Sequence, residues 1–221
     1  MAIAIDSSSQ LASDTGSTPT WSHTCTGSNL VLIVGVEVAT GETVSSVTYA
    51  GTSMTQINTQ NLSGATFGNV YLFRLFNPAA GANNIIVTKS STSFGYCAAA
   101  SYTGVSSTLD VNTTTSTTGT SITGTLITTV DNDWLVGFVS AGTSGDTGTM
   151  TAGTNTTARQ TNINNWYTFV DTNAAQTPLG SKSMVVNHST SVLLGFNLVA
   201  ISPFTGSTAL VTTRSLLGVG K

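Results

Sequence analysis

Along most of the chain, aliphatic and aromatic residues alternate with Ser, Thr and Asn in short runs, and clusters of Gly, Asn, Ser and Pro separate the runs. Side chains on a strand point to opposite faces with a period of two, so such runs predict strands joined by turns. The pattern predicts strands over 29–38, 44–50, 53–58, 68–76, 83–88, 94–103, 119–128, 132–140, 165–171, 181–187 and 191–202. No segment carries a helical period. Short strands spaced in this way favour antiparallel packing over a βαβ arrangement. The expected fold is all-β: an antiparallel, jelly-roll-like β-sandwich over 21–203, with an N-terminal extension over 1–20 and a C-terminal tail or arm over 204–221.

Two runs show the reasoning. Tyr71, Phe73 and Leu75 share one face while Val70, Leu72, Arg74 and Phe76 share the other, so this strand is apolar on both sides and belongs inside a sheet, with Arg74 at a rim. Asn77-Pro78 ends it, because proline has no N–H to give to a ladder. Val192, Leu194, Phe196, Leu198 and Ala200 likewise line one face of a core strand. The Thr-rich stretch 111–124 reads as a polar loop leading into a strand, and 142–157 as a mobile polar loop. After Pro203, Leu210, Val211, Leu216 and Leu217 stand in a tail with little local pattern. They fit either a last strand of the same sandwich or an assembly arm that adds to a neighbouring subunit.

Composition narrows the partners. Charged residues are only 7% of the 221, against about 25% in an average soluble protein, while 39% are hydrophobic. With a net charge of -3 the chain is expected to fold rather than stay disordered. Its six Lys and Arg are scattered singly, which argues against nucleic acid and against an anionic membrane surface as partners. No run reaches the ~18 apolar residues of a membrane helix. The first twenty residues have neither a basic start nor a long apolar run, so a secretory signal is not expected. A hydroxyl-rich surface with few charges to desolvate suits close protein packing.

Candidate chemistry is sparse. The histidines are His23 and His188, and the cysteines Cys25 and Cys97. A tetrahedral zinc site would need all four to converge, and His23-x-Cys25 lacks the spacing of a structural site, so buried free thiols and no metal or cofactor are expected. A Cys25–Cys97 disulfide would require neighbouring strands and an oxidising compartment. There is no Gly-x-Ser-x-Gly elbow, and a hydrolase would require His23 or His188 within reach of a nucleophile and an acid. Glu37 and Glu42 do not form the facing acid pair of a glycosidase. Asp131-Asn132-Asp133 reads as a turn capped by its own side chains, because it lacks the glycine and distal glutamate of a calcium loop. Asp110 and Asp146 read as isolated loop acids. Trp166 and Tyr167, flanked by Asn164 and Asn165, form the best candidate for stacking a sugar and bonding its hydroxyls, with core packing as the competing role.

The succession of an apolar strand (28–38), a hairpin around Val47-Thr48-Tyr49-Ala50-Gly51, a strand ending Asn77-Pro78-Ala79-Ala80-Gly81 and a strand ending Ser101-Tyr102-Thr103-Gly104-Val105 resembles β-sandwich modules of phage structural and bacterial surface proteins. The likeness covers the first half of the chain. It implies a fold and a setting, and carries no active site. The expectation is a non-enzymatic virion structural protein, a capsid decoration or head-fibre subunit. Its partners would be copies of itself and other virion proteins such as a major capsid protein. The alternative is a glycan-binding or adhesion module on a fibre or cell surface.

Overall fold

The computed structural model describes residues 1–62, 67–142, 147–161 and 166–206. In chain order its strands are β1 (Ala4–Asp14), β2 (Thr20–Cys25), β3 (Val31–Ala39), β4 (Val44–Tyr49), β5 (Thr52–Ser53), β6 (Thr55–Asn61), β7 (Phe67–Phe76), β8 (Gly81–Lys89), β9 (Gly95–Thr103), β10 (Val105–Thr128), β11 (Trp134–Ala141), β12 (Met150–Ala152), β13 (Thr157–Thr161), β14 (Tyr167–Asp171) and β15 (Gly180–Pro203). All pairings are antiparallel. The protein is an all-β sandwich, and the alternation of the sequence is the cause: each central strand has an apolar face to bury.

The first half forms two sheets, ordered β1-β9-β3-β7-β6 and β2-β8-β4-β5. Leu32, Val34, Val36, Tyr71 and Phe73 of the first face Trp21, Val47, Tyr49, Ile85 and Val87 of the second. The second half forms one sheet, ordered β10-β15-β11-β14-β13, with β12 on β15. Its two long strands break register between Gly119 and Ser121 of β10, opposite Val192 and Asn187 of β15. Beyond the break Ile122, Leu126, Met150, Met184 and Val186 lie over Leu135, Val139, Phe196 and Leu198, so this sheet makes a sandwich with itself. A third core joins the halves: Ile33, Leu72, Ala98 and Tyr102 meet Trp134, Val136, Phe138, Phe169 and Val199.

The halves are two copies of one plan. Asn29 and Asn132 each precede the first central strand with positive φ (50° and 66°), as asparagine tolerates. From there β3 corresponds to β11, β7 to β14 and β6 to β13, with matching register: Ile33 lies opposite Arg74 and Ala100, and Val136 opposite Asp171 and Val199. The edge strands slip at the same place, between Gln56 and Asn58 and between Ala158 and Gln160. Corresponding residues also meet across the shared core. A methyl on Gly35 would overlap the ring of Phe138, its counterpart. Asn58 reaches Asn112 at 3.3 Å, and its counterpart Gln160 reaches Ser8 at 2.8 Å. An approximate two-fold axis parallel to β3 and β11 therefore relates the halves.

Several stretches differ from the sequence expectation. The stretch read as an N-terminal extension contains β1, an edge strand paired along β9. Residues 111–118, read as a polar loop leading into the strand predicted over 119–128, are themselves strand, because β15 supplies their pairing partners from Val199 to Leu193. Met150, within the stretch read as a mobile loop, is buried in β12.

Candidate functional site

The sugar-stacking candidates separate. Tyr167 has no exposed surface; its hydroxyl shares its one proton between Gln10 Oε1 and the Cys97 carbonyl, each at 3.1 Å, tying β14 to the other half. A sugar has no face of Tyr167 to stack on. Trp166 is half-buried, with its ring edge-on to Tyr96 at 4.7 Å. Asn164 and Asn165 lie outside the described residues, as do the arm candidates Leu210, Val211, Leu216 and Leu217.

His23 is brought to serines and an acid that its own neighbourhood in the sequence does not contain. Its Nδ1 bonds Ser9 Oγ at 2.8 Å and its Nε2 bonds Ser101 Oγ at 3.1 Å. Ser101 in turn donates to Asp6 Oδ2 at 2.7 Å. The acid thus engages the serine and not the imidazole, and His23 bridges two hydroxyls, unlike a triad histidine that links nucleophile to acid. Burial holds the imidazole neutral, lowering its pKa to about 4 against the opposing pull of Asp6. Burial raises Asp6, but hydrogen bonds from Thr26 and Ser101 outweigh it, so the carboxyl stays below its ordinary value. The network ties β1, β2 and β9 together. Trp21, His23 and Cys25 share the inward face of β2, whereas Asp6 and Ser9 sit in a stretch with no sequence pattern to mark them. His188, within β15, bonds the Thr190 carbonyl two residues on at 2.9 Å.

Cys25 and Cys97 are free and buried in the same core, and burial raises both thiols. Glu37, which closes an apolar strand in the sequence, is wholly buried between the halves and accepts a hydrogen bond from its counterpart Ser140. Burial raises its pKa to about 8, partly offset by that bond. Arg159 grips Asp171 with two bonds of 2.6 and 2.9 Å, and Tyr102 of the other half donates to the same carboxylate at 2.9 Å. Asp131 and Asn132 form a turn and Asp133 points inward; burial and then Asp110 raise Asp133 to about 7. Among the described residues no three His, Cys, Asp or Glu side chains gather closely enough to hold a metal ion.

The described residues also form a cleft of about 480 Å³ at one pole, lined by Met1, Ile3, Trp134, Ala175, Pro203 and Phe204 among others. Ile3 and Trp134 are its buried wall, while Met1 is 64% exposed. The Met1 amino group donates to the Phe204 carbonyl at 2.6 Å, and the Phe204 amide donates to the Gly104 carbonyl at 2.7 Å. The start of the chain, the crossing between halves and the exit towards residue 207 therefore share one pole. The chain matches no protein-family model and no curated protein sequence.

Proposed function

We propose that the protein is a non-enzymatic structural component of a virion, a capsid decoration or head-fibre subunit that assembles with copies of itself and docks on other virion proteins through one pole. The observation that carries this reading is the gathering of Met1, Gly104 and Phe204 at that pole, which gives an attachment end and leaves the opposite end of the sandwich to project. The charge-poor composition supports it, since an interface of standard size, about 1,600 Å², then desolvates few charges. The nested pairing β1 with β9, β2 with β8 and β3 with β7 supports a jelly-roll reading of the first half. The phage setting follows the strand-and-turn resemblance of the first half.

The test is quantitative mass spectrometry of purified particles from the source that carries this sequence. A fixed copy number per particle that survives density-gradient purification is expected. Absence of the chain from the particles, with its recovery in another fraction, would overturn the virion role.

A further inference from the structure

We propose that Asp133 and Asp110, with the hydroxyl of Ser202, hold a calcium ion where β10, β11 and β15 come together at one end of the second half. The site is independent of the assembly reading above.

Trp134 and Leu109 both pair with Ile201, and all three pack on the shared core. Asp133, Asp110 and Ser202 each stand one residue from that row and so share the other face of the sheet. Asp133 is wholly buried, and neither of its carboxylate oxygens makes a hydrogen bond. The Asp110 carboxylate and the Ser202 hydroxyl flank it, and the charges that act on it, those of Asp110 and Asp131, have its own sign. A carboxylate buried without donor or counter-charge is costly.

The duplication shows that the fold does not demand an acid there. Asn29 and Asn132 are equivalent, so the residues after them, Leu30 and Asp133, occupy the same place. Leu30 is buried in an apolar core. The turn beside each is built alike. Asp6 accepts hydrogen bonds from the Thr26 amide at 3.1 Å and the Thr26 hydroxyl at 2.5 Å, and Asp110 accepts the same pair from Thr129, the amide at 2.6 Å. Asp6 has a further donor in Ser101 at 2.7 Å, whose counterpart is Ala200: Ser101 pairs with Leu32 as Ala200 pairs with Leu135. The second half therefore has one hydroxyl donor fewer and one carboxylate more, and a cation satisfies both differences.

The surrounding groups are oxygen donors, which suit a hard cation. Oxygens that ligate one calcium ion at about 2.3–2.6 Å lie about 3–4 Å from each other, so two carboxylates set side by side match a single ion. Asp133 offers both oxygens, Asp110 and Ser202 one each, and water the rest. Calcium accepts such a mixed set, whereas magnesium demands a near-ideal octahedron. Two carboxylates balance the charge of the ion and fall short of the three-residue clusters excluded above. Asp110 is half-buried and Asp131 exposed, which opens the site to solvent on their side. Because the second carboxylate comes from another strand, no contiguous calcium loop marks the site in the sequence.

The experiment takes the full-length protein, stripped with a chelator at pH 8, and titrates it with calcium chloride by calorimetry and with terbium chloride by luminescence excited through Trp134. The expected result is one ion per chain with half-saturation between about 10⁻⁴ and 10⁻³ M, a melting temperature that rises with calcium, and terbium emission that calcium displaces. Binding is expected to weaken more than about tenfold from pH 8 to pH 5, because Asp133, raised to about 7 by burial and then Asp110, regains its proton. Asp133→Leu, which copies the first half, is expected to fold and to lose the calcium heat and the terbium emission. No heat and no melting shift in the parent at about 10 mM calcium would overturn the site. Binding that Asp133→Leu leaves unchanged would also overturn it, by placing the ion elsewhere, and equal affinity for magnesium would overturn the choice of calcium. If Asp133→Leu does not fold, the parent decides: terbium emission that calcium does not displace, or binding as tight at pH 5 as at pH 8, contradicts the site.

Discussion

At position 35 a glycine is required by what lies opposite. Any Cβ there would overlap Phe138, so the ring fills the space that the missing side chain leaves. Gly35→Val is expected to cost about 1–3 kcal/mol by overpacking and Phe138→Ala about 3–5 kcal/mol by leaving a cavity. The double variant should cost less than the sum, a coupling that denaturant titration of the four chains measures. Glu37 makes a second residue-scale case. Its carboxyl is raised to about 8 by burial, so the folded state holds a proton that the unfolded state releases near its ordinary value of 4.5. The native state then binds more protons between those values, and stability falls as pH rises from about 4.5 through about 8. Glu37→Gln should remove that decline, giving a variant more stable than the parent at pH 8 and nearly equal at pH 4, read as melting temperatures across the range. Both residues explain why the duplication is hard to read in the sequence. Where counterparts meet on an axis, a large side chain needs a small partner and an acid needs a donor, so Gly35 faces Phe138 and Glu37 faces Ser140. Complementarity there replaces identity.

At the scale of elements, strands apolar on both faces were legible, because β3, β7, β9 and β11 sit between two cores and need a hydrophobic residue at nearly every position. The polar first part of β10 was not legible. It is an edge strand held by its ladder with β15, and a run of Thr and Ser carries no period to show that. The same holds for β1, whose Ser-rich run lies against β9. The turn of the long hairpin over its own sheet depends on two glycines that flank Phe196. A Cβ on Gly124 would meet ring atoms at 2.8 and 2.9 Å and Leu198 at 3.1 Å, all side-chain atoms able to shift. One on Gly137 would meet the same ring and also the Asn197 carbonyl at 3.0 Å, which is backbone. Gly137→Ala should therefore destabilise more than Gly124→Ala, by about 2–3 against about 1 kcal/mol in urea titration, and the reverse order would contradict this packing.

At the scale of the molecule, the shared core makes the two halves one cooperative body. Trp21 lies in the core of the first half and Trp134 in the shared core, and Tyr102, Tyr167 and Phe138 also span the boundary between the halves. Unfolding is expected as a single transition, with near-ultraviolet and far-ultraviolet signals coincident and Phe138→Ala lowering both midpoints together; two separated steps would show that the halves fold independently. The candidate site was partly legible at this scale. The tail stood out as apolar without a local pattern, whereas the cleft arises from Ile3, Trp134 and Phe204, which only the fold brings together. The most direct test of assembly through this pole is the solution mass, by light scattering, of the full chain and of a chain ending at Gly206. Phe204 stays in both, preserving its bonds to Met1 and Gly104. The expected result is a defined oligomer for the full chain and a folded monomer for the shortened one. Equal masses for the two would contradict assembly through the tail.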